Sequence, residues 1–313
     1  MWTLKQPSKI IFGENSVNEF KFSQKCLVIT SKGATSRGWL DYSGLKNQMV
    51  FDDVEPNPSI ETTEKIISKF QNSDFTHIIG IGGGSSMDVA KYCAFKMNKL
   101  KIMIPTTFGS GSEVTRISVL KIDGKKTSFH NDGILSDVAI IDPFFIGNTP
   151  DHVIKNSVVD ACAQCTEAFD SKNSNEYTKF LCEKAFNVLE DAILSNQFEK
   201  FPFGSLISGL GFGNSSTTLG HALSYVYSNE GFVHGHALAY TTAIAHQFNN
   251  SKFFDRFKTL VKKLNFPKIK LKMDYEKAAD TILKDKKHLD NNPRNVSKND
   301  IVKMLKNIDT TDL

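Results

Sequence analysis

His77-Ile-Ile-Gly-Ile-Gly-Gly-Gly-Ser-Ser-Met-Asp-Val-Ala-Lys91 decides how the first half of this chain is read. A β-branched run of the kind buried in a parallel sheet breaks into Gly82, Gly83, Gly84, Ser85 and Ser86, and a helical stretch carrying Asp88 and Lys91 follows. Without a Cβ, glycine lets backbone amides approach a ligand closely. The first amides of the next helix are unpaired donors at the positive end of its dipole. A turn of this kind is built to hold a phosphate. The spacing is not G-x-G-x-x-G, so a plain strand-to-helix turn is the competing reading.

Working outward, Lys9-Ile-Ile-Phe-Gly13 and Cys26-Leu-Val-Ile-Thr30 read as short strands, the second stopping at Ser31-Lys-Gly33, with a helix over 60–70 before the glycine turn. Downstream, Lys101-Ile-Met-Ile-Pro105 runs into Thr106-Thr-Phe-Gly-Ser-Gly-Ser-Glu-Val-Thr115, a second loop of small hydroxyl residues and glycines. Two such loops after two strands put close-approach backbone at one edge of a parallel sheet, where open α/β sheets bind ligands. Residues 117–129 read as a hairpin around Asp123-Gly-Lys-Lys126, and Asp137-Val-Ala-Ile-Ile-Asp-Pro143 as a last strand. Beyond Pro150 strand signals fade, and helices are expected over 156–169, 176–194, 204–210, 220–227, 235–247, 253–264 and 275–283.

At 313 residues the chain exceeds one ordinary core, which predicts two domains, 1–150 and 151–313. The net charge of +4 comes from Lys runs such as Lys268-Ile-Lys-Leu-Lys272, interleaved with acids and amides elsewhere and accompanied by no aromatic platform, so no nucleic-acid partner is expected. No apolar run reaches the ~18 to 20 residues of a membrane span. Five cysteines, an odd number, and an N-terminus without a signal pattern predict a reducing cytoplasm. Cys162-Ala-Gln-Cys165 has redox or zinc spacing but no second pair.

The chemistry-bearing stretch of the second half runs from 209 to 240 and carries His221, His234 and His236 on a scaffold of small residues. Clustered imidazoles point to a metal or proton-transfer site, with packing and capping as the ordinary reading of any one of them. Upstream, Asp160 and Gln164 are four apart and share a helix face. A carboxylate and an amide oxygen there, meeting two imidazoles, would make a four-ligand set, with Gln164 its poorest donor.

These motifs, Gly82 to Lys91, Pro105 to Thr115, Asp160 with its helix, and His221 through His234-Gly235, resemble in the same order those of the iron-containing (group III) alcohol dehydrogenases. The resemblance implies an α/β N-terminal Rossmann-like nucleotide-binding domain and an all-α C-terminal metal- and substrate-binding domain, the fold shared with dehydroquinate synthase. It implies a divalent metal, iron or zinc, on Asp160, His221 and His234, with Gln164 standing where the family has another histidine. It implies NADH or NADPH on Gly82, Gly83, Gly84 and Ser85, with Asp88, Thr106, Thr107, Ser110 and Lys126 lining the remaining polar groups. Ser31 replaces the acidic residue that often meets the adenosine ribose, which brings NADPH level with NADH. Tyr225 stands where the family often has a histidine near the nicotinamide; with His221 and His236 it completes the expected catalytic set. The distal helical region is expected to be abbreviated and the assembly a homo-oligomer, a dimer.

His221-Ala-Leu-Ser-Tyr225 with His234-Gly-His236 also looks like the phosphonoacetaldehyde reductase (hydroxyethylphosphonate dehydrogenase) branch. The implied activity is NAD(P)H-linked reduction of a small anionic aldehyde to its alcohol, with succinic or malonic semialdehyde as alternatives. Rivals are a metal-dependent lyase or synthase on the same fold, and a nucleotide-binding protein that has lost its metal, the latter motivated by Gln164.

Overall fold

Apolar runs rich in isoleucine and valine set the architecture. The computed structural model describes residues 1–310. Its first unit, Thr3–Pro150, alternates strands and helices: β1 (Lys9–Phe12), α1 (Ser16–Glu19), β2 (Cys26–Ile29), α2 (Lys32–Ser36), α3 (Trp39–Tyr42), β3 (Met49–Phe51), α4 (Ile60–Phe70), β4 (His77–Gly82), α5 (Gly84–Lys96), β5 (Leu100–Pro105), β6 (Ile117–Ile122), β7 (Lys125–His130) and β8 (Val138–Ile141). The sheet has the order β1-β8-β5-β4-β2-β3, and every pair in it is parallel. All four residues of β2 are buried, as a strand covered on both faces requires. Leu27, Ile29, Ile78, Met87, Val89 and Met103 form the centre of the core, each worth roughly 1.5–3 kcal/mol of burial. Helix α4 is capped by Ser59, whose hydroxyl accepts from the Thr62 amide at 3.3 Å.

β6 and β7 form a separate antiparallel hairpin, closed by Asp123 and Gly124, both at positive φ (49° and 74°), the pairing a two-residue turn demands. The three-residue β3 is an element the sequence pattern does not single out. It matters because it sets the sheet order: the chain moves outward from β2 to β3, then returns to the other side of β2 with β4. That reversal lies between the carboxyl ends of β2 and β4, the position where open α/β sheets take ligands.

The second unit comprises Met1–Trp2 and the chain from Asp151. It is helical: α6 (Asp151–Asp170), α7 (Glu176–Ser195), α8 (Phe201–Phe212), α9 (Leu219–Asn229), α10 (His234–Asn249), α11 (Phe254–Leu264), α12 (Tyr275–Ile282), α13 (Lys286–Asn291) and α14 (Lys298–Thr310). Helix α7 opens with a reciprocal capping box between Asn175 and Thr178. The last two helices fall in a region read as helical but not delimited from the sequence. Asp309 on α14 accepts hydrogen bonds from the hydroxyls of Tyr227 and Tyr275 and the amide of Leu271, which ties the end of the described chain to α9 and α12. Among the described residues no helix is long and apolar enough to cross a membrane.

Candidate functional site

At the sheet's reversal point, the glycine turn leads directly into α5, whose first turn has no side-chain cap. Its leading amides are thus left for a ligand or solvent. The loop after β5 packs against this turn: Thr106 donates its amide to the Gly82 carbonyl at 2.9 Å. A Cβ on Gly83 would lie 2.9 Å from Thr107 Oγ1, and one on Gly84 2.9 Å from Ser110 Oγ. Thr106 Oγ1 is buried and has no hydrogen-bond partner. An uncapped helix start, hydroxyl-lined and too tight for side chains, fits a bound pyrophosphate. Ser85 sits in the first turn of α5, where its Oγ accepts from the Asn57 amide at 3.3 Å.

Ser31 lies just beyond β2 and precedes α2 without capping it through its side chain. Its backbone bridges to Asp53, whose carboxylate pairs with Lys32 at 2.9 Å. Sequence reasoning assigns Asp88 to the cofactor, but the structure gives both its oxygens to protein donors. Oδ1 accepts from Ser112 Oγ at 2.5 Å, and Oδ2 from the Val119 amide at 3.0 Å. Asp88 therefore holds the loop and hairpin against α5. Lys91, fully buried, donates to the carbonyls of Ser112 (2.7 Å), Thr115 (3.1 Å) and Ile117, and so fixes the path of the same loop. Lys126 lies on the hairpin strand β7, opposite Lys121.

In the helical unit, Asp160, His221 and His234 converge. Asp160 Oδ1 on α6 is 3.8 Å from His221 Nε2 on α9 and 4.0 Å from His234 Nε2 at the start of α10, and one donor atom of each residue lies within 4.8 Å of the others. Two glycines make this approach possible. A Cβ on Gly235 would sit 2.0 Å from the Asn156 carbonyl oxygen of α6, and one on Gly220 would sit 2.2 Å from Glu167 Oε1. Each histidine is thus chain neighbour to a residue that lets its helix close on α6.

Glu167, two turns after Asp160 on the same face of α6, is the residue that aims His221. Its Oε2 accepts the Thr218 amide at 2.7 Å and so caps α9 from another helix; Oε1 lies 3.1 Å from His221 Nδ1 and accepts from Thr242 Oγ1 at 3.1 Å. With Nδ1 engaged on a carboxylate, Nε2 is the ring atom turned toward Asp160, and it is the one that would exchange its proton for a cation. Burial would raise the Glu167 pKa, but the His221 charge and the hydrogen bonds from His221 and Thr218 win and hold it at about 2. Burial would likewise lower the His221 pKa, but Glu167 and Asp160 raise it to about 9. A pocket that anionic, with one carboxylate oxygen and two imidazole nitrogens converging, fits a borderline divalent cation.

Gln164 reaches Asp160, but with its amide nitrogen rather than the expected oxygen: Nε2 donates to Oδ1 at 2.9 Å. Tyr225 is also brought in: its ring lies parallel to that of His234 with centroids 6.2 Å apart, and burial pushes its hydroxyl pKa well up. His236 is not. Two residues after His234, it occupies the far side of α10, with Nε2 2.5 Å from the Pro267 carbonyl and its ring stacked on Phe266. Sequence reasoning missed Glu167, which the i+7 spacing from Asp160 could have revealed, and His288. His288, buried on α13, stacks on His221 at 6.1 Å and holds its Nδ1 2.7 Å from Asp285 Oδ2. No local pattern signals it.

A reversed parallel sheet carrying a phosphate-type turn, joined in one chain to a helical unit carrying an Asp-His-His donor set, defines a two-domain nucleotide- and metal-binding class. The family models for iron-containing alcohol dehydrogenase (residues 7–143) and for the C-terminal region of Fe-containing alcohol dehydrogenases (residues 154–282) both match. The chain belongs to the iron-containing alcohol dehydrogenase family. It is 31% identical over 263 residues to the 4-hydroxybutyrate dehydrogenase of Clostridium kluyveri, covering 72% of this chain and 68% of that protein. It is 33% identical over 205 residues to long-chain-alcohol dehydrogenase 1 of Geobacillus thermodenitrificans, covering 56% and 52%; the match spans only about half of that relative. The fold is shared with the sulfoacetaldehyde reductase of Bifidobacterium kashiwanohense in complex with NAD+ (TM-score 0.90, 24% identity, 100% of both chains). It is also shared with an iron-containing alcohol dehydrogenase of Thermotoga maritima (TM-score 0.87, 23% identity, 98% and 99%).

Proposed function

We propose that the protein reduces a small anionic aldehyde to its primary alcohol with NADH or NADPH and a divalent cation. Phosphonoacetaldehyde to 2-hydroxyethylphosphonate is the favoured reaction, with succinic and malonic semialdehyde as the near alternatives. The observation that carries the reading is the convergence of Asp160, His221 and His234. When bound, the cation polarises a carbonyl oxygen and the nicotinamide supplies hydride. The chain's own contribution is positional. Glu167 holds His221 with Nε2 toward Asp160, where a cation would be bound, Gly82 to Ser85 would hold the pyrophosphate, and Tyr225, whose hydroxyl stays protonated, would be a proton donor for the substrate oxygen.

Two facts support an anionic substrate. 4-Hydroxybutyrate, named for one relative, joins an alcohol to a carboxylate. Within the helical unit, Lys287 adjoins His288 on α13 and has no ion-pair partner among the described residues. Its side chain is open to water. Such a cation is available to a phosphonate or carboxylate. Five buried free cysteines support a reducing, cytoplasmic setting.

The test follows absorbance at 340 nm with each cofactor and metal-replete protein against phosphonoacetaldehyde, succinic semialdehyde, malonic semialdehyde and propanal. The expected result is oxidation of the cofactor with kcat/KM at least about tenfold higher for an anionic aldehyde than for propanal, a difference of ~1.4 kcal/mol. Equal values would remove the anionic preference. No oxidation with any aldehyde would reject the reductase and leave the lyase or synthase reading.

A further inference from the structure

Gln164 lies one helical turn beyond Asp160 on α6 and is 5% exposed, and the protein treats the two ends of its carboxamide unequally. Nε2 donates to Asp160 Oδ1 at 2.9 Å, and this is the same oxygen that faces His221 and His234 at 3.8 and 4.0 Å. Oε1 is buried and has no hydrogen-bond partner. No protein donor holds Oε1, so no hydrogen bond on that side opposes a turn of the amide.

The nitrogen and oxygen of a primary amide have nearly the same shape. A half-turn about the terminal bond exchanges them without repacking any neighbour. Which end faces Asp160 is then decided by the charge beside it. Against a bare carboxylate the N–H end is drawn in. Beside a dication shared by Asp160 Oδ1 the preference inverts, because a cation repels the N–H dipole and attracts the carbonyl oxygen. The turn breaks no bond on the Oε1 side, and the one lost from Nε2 is replaced by a cation–oxygen contact.

We propose that Gln164 turns its carboxamide when the cation binds and completes the site as an oxygen donor, giving two imidazoles and two oxygens. The consequence is selectivity. An imidazole in this position would add a nitrogen donor that suits zinc. An amide oxygen is harder and favours manganese(II) and iron(II) relative to zinc. Gln164 therefore narrows zinc's usual advantage over manganese. The proposal rests on the metal reading of Asp160, His221 and His234, and its test keeps the two separable.

The full-length protein, stripped with a chelator and dialysed, is titrated with Zn(II) against a chromophoric chelator and with Mn(II) by the free-ion EPR signal. Wild type, Gln164→Leu, Gln164→His and Asp160→Ala are compared, with circular dichroism melts confirming that each is folded. Gln164→Leu should weaken both ions by about tenfold or more. Gln164→His should tighten zinc by about tenfold while leaving manganese unchanged or weaker, so the zinc-to-manganese affinity ratio rises. Wild-type affinities in Gln164→Leu, or an equal change for both ions in Gln164→His, would overturn the proposal. If Gln164→Leu does not fold, Gln164→His decides alone. Undiminished metal binding by Asp160→Ala would instead overturn the metal reading beneath it.

Discussion

The turn at 82–85 and the cluster at Asp160, His221 and His234 are two candidate binding sites made of different material. The first works through backbone. Its donors are the leading amides of α5, its shape comes from the absence of side chains, and the loop that backs it is tied down by Asp88 and Lys91 from inside. The second works through side chains alone. Its donors come from α6, α9 and α10, and at least two of them are oriented by another buried polar group, Asp160 by Gln164 and His221 by Glu167. A backbone site survives most substitutions that leave the chain path intact. A side-chain site loses a donor with each change and strands the partner it was bonded to.

That contrast makes Asp160→Ala the most damaging single change. It removes the oxygen that both imidazoles face, and nothing of the backbone replaces it. The expected outcome is loss of stoichiometric metal and a fall in kcat/KM of at least ~10³-fold, about 4 kcal/mol. The affinity for NADH stays near that of the wild type. Metal analysis of protein purified without chelators, beside a fluorescence titration with NADH, checks both halves. Metal content equal to the wild type would remove Asp160 from the donor set.

The same contrast decides what could be read from the chain itself. The glycine turn is contiguous, so its residues stand in sequence in the order they stand in space, and the strand before it and helix after it are legible from local pattern. The position of that turn at the sheet's reversal was not legible. It depends on β3, three residues long, pairing with β2, a non-local choice that no periodicity marks. In the helical unit, Asp160 and Gln164 could be paired through helix geometry and set against two of the later imidazoles, but choosing His221 and His234 from the three clustered histidines needed the family resemblance. His236 shows why spacing alone misleads. Adjacent in a string of histidines, it points about 200° around α10 from His234, because a helix turns about 100° per residue. Glu167 and His288 were missed for a related reason: each matters only through a residue that lies far along the chain.

Glu167→Gln sharpens the comparison at an intermediate scale. The substitution preserves shape, yet one end of the new amide must present N–H either to the Thr218 amide or to His221 Nδ1, both of which need an acceptor. His221 loses its orienting partner and α9 part of its cap. Metal affinity should fall by roughly 10–100-fold, the usual cost of losing a group that orients a metal-bound imidazole. The melting temperature should drop by only a few degrees, as for a lost cap of ~1 kcal/mol. Competition with a chelator and a thermal melt measure the two. A large loss of stability with metal affinity unchanged would mean that Glu167 serves the fold alone.

Gly83→Ala probes the backbone site from its own side and carries the smallest expected effect. The new Cβ would lie 2.9 Å from Thr107 Oγ1, too close to persist, but the obstacle is the tip of a side chain and can rotate away. The strand and helix on either side therefore hold, and so should the fold. What changes is the room above the leading amides of α5, where an added methyl and a displaced threonine both stand in the way of a pyrophosphate. NADH binding should weaken by about tenfold, or ~1.4 kcal/mol, with metal content untouched because its donors all belong to the helical unit. The readouts are the fluorescence titration and metal analysis used for Asp160→Ala, with the outcomes reversed. If Gly83→Ala lost metal along with cofactor, the two sites would not be independent constructions. If it bound NADH as tightly as wild type, the absence of side chains at this turn would have no bearing on the nucleotide, and the backbone half of the comparison would fall.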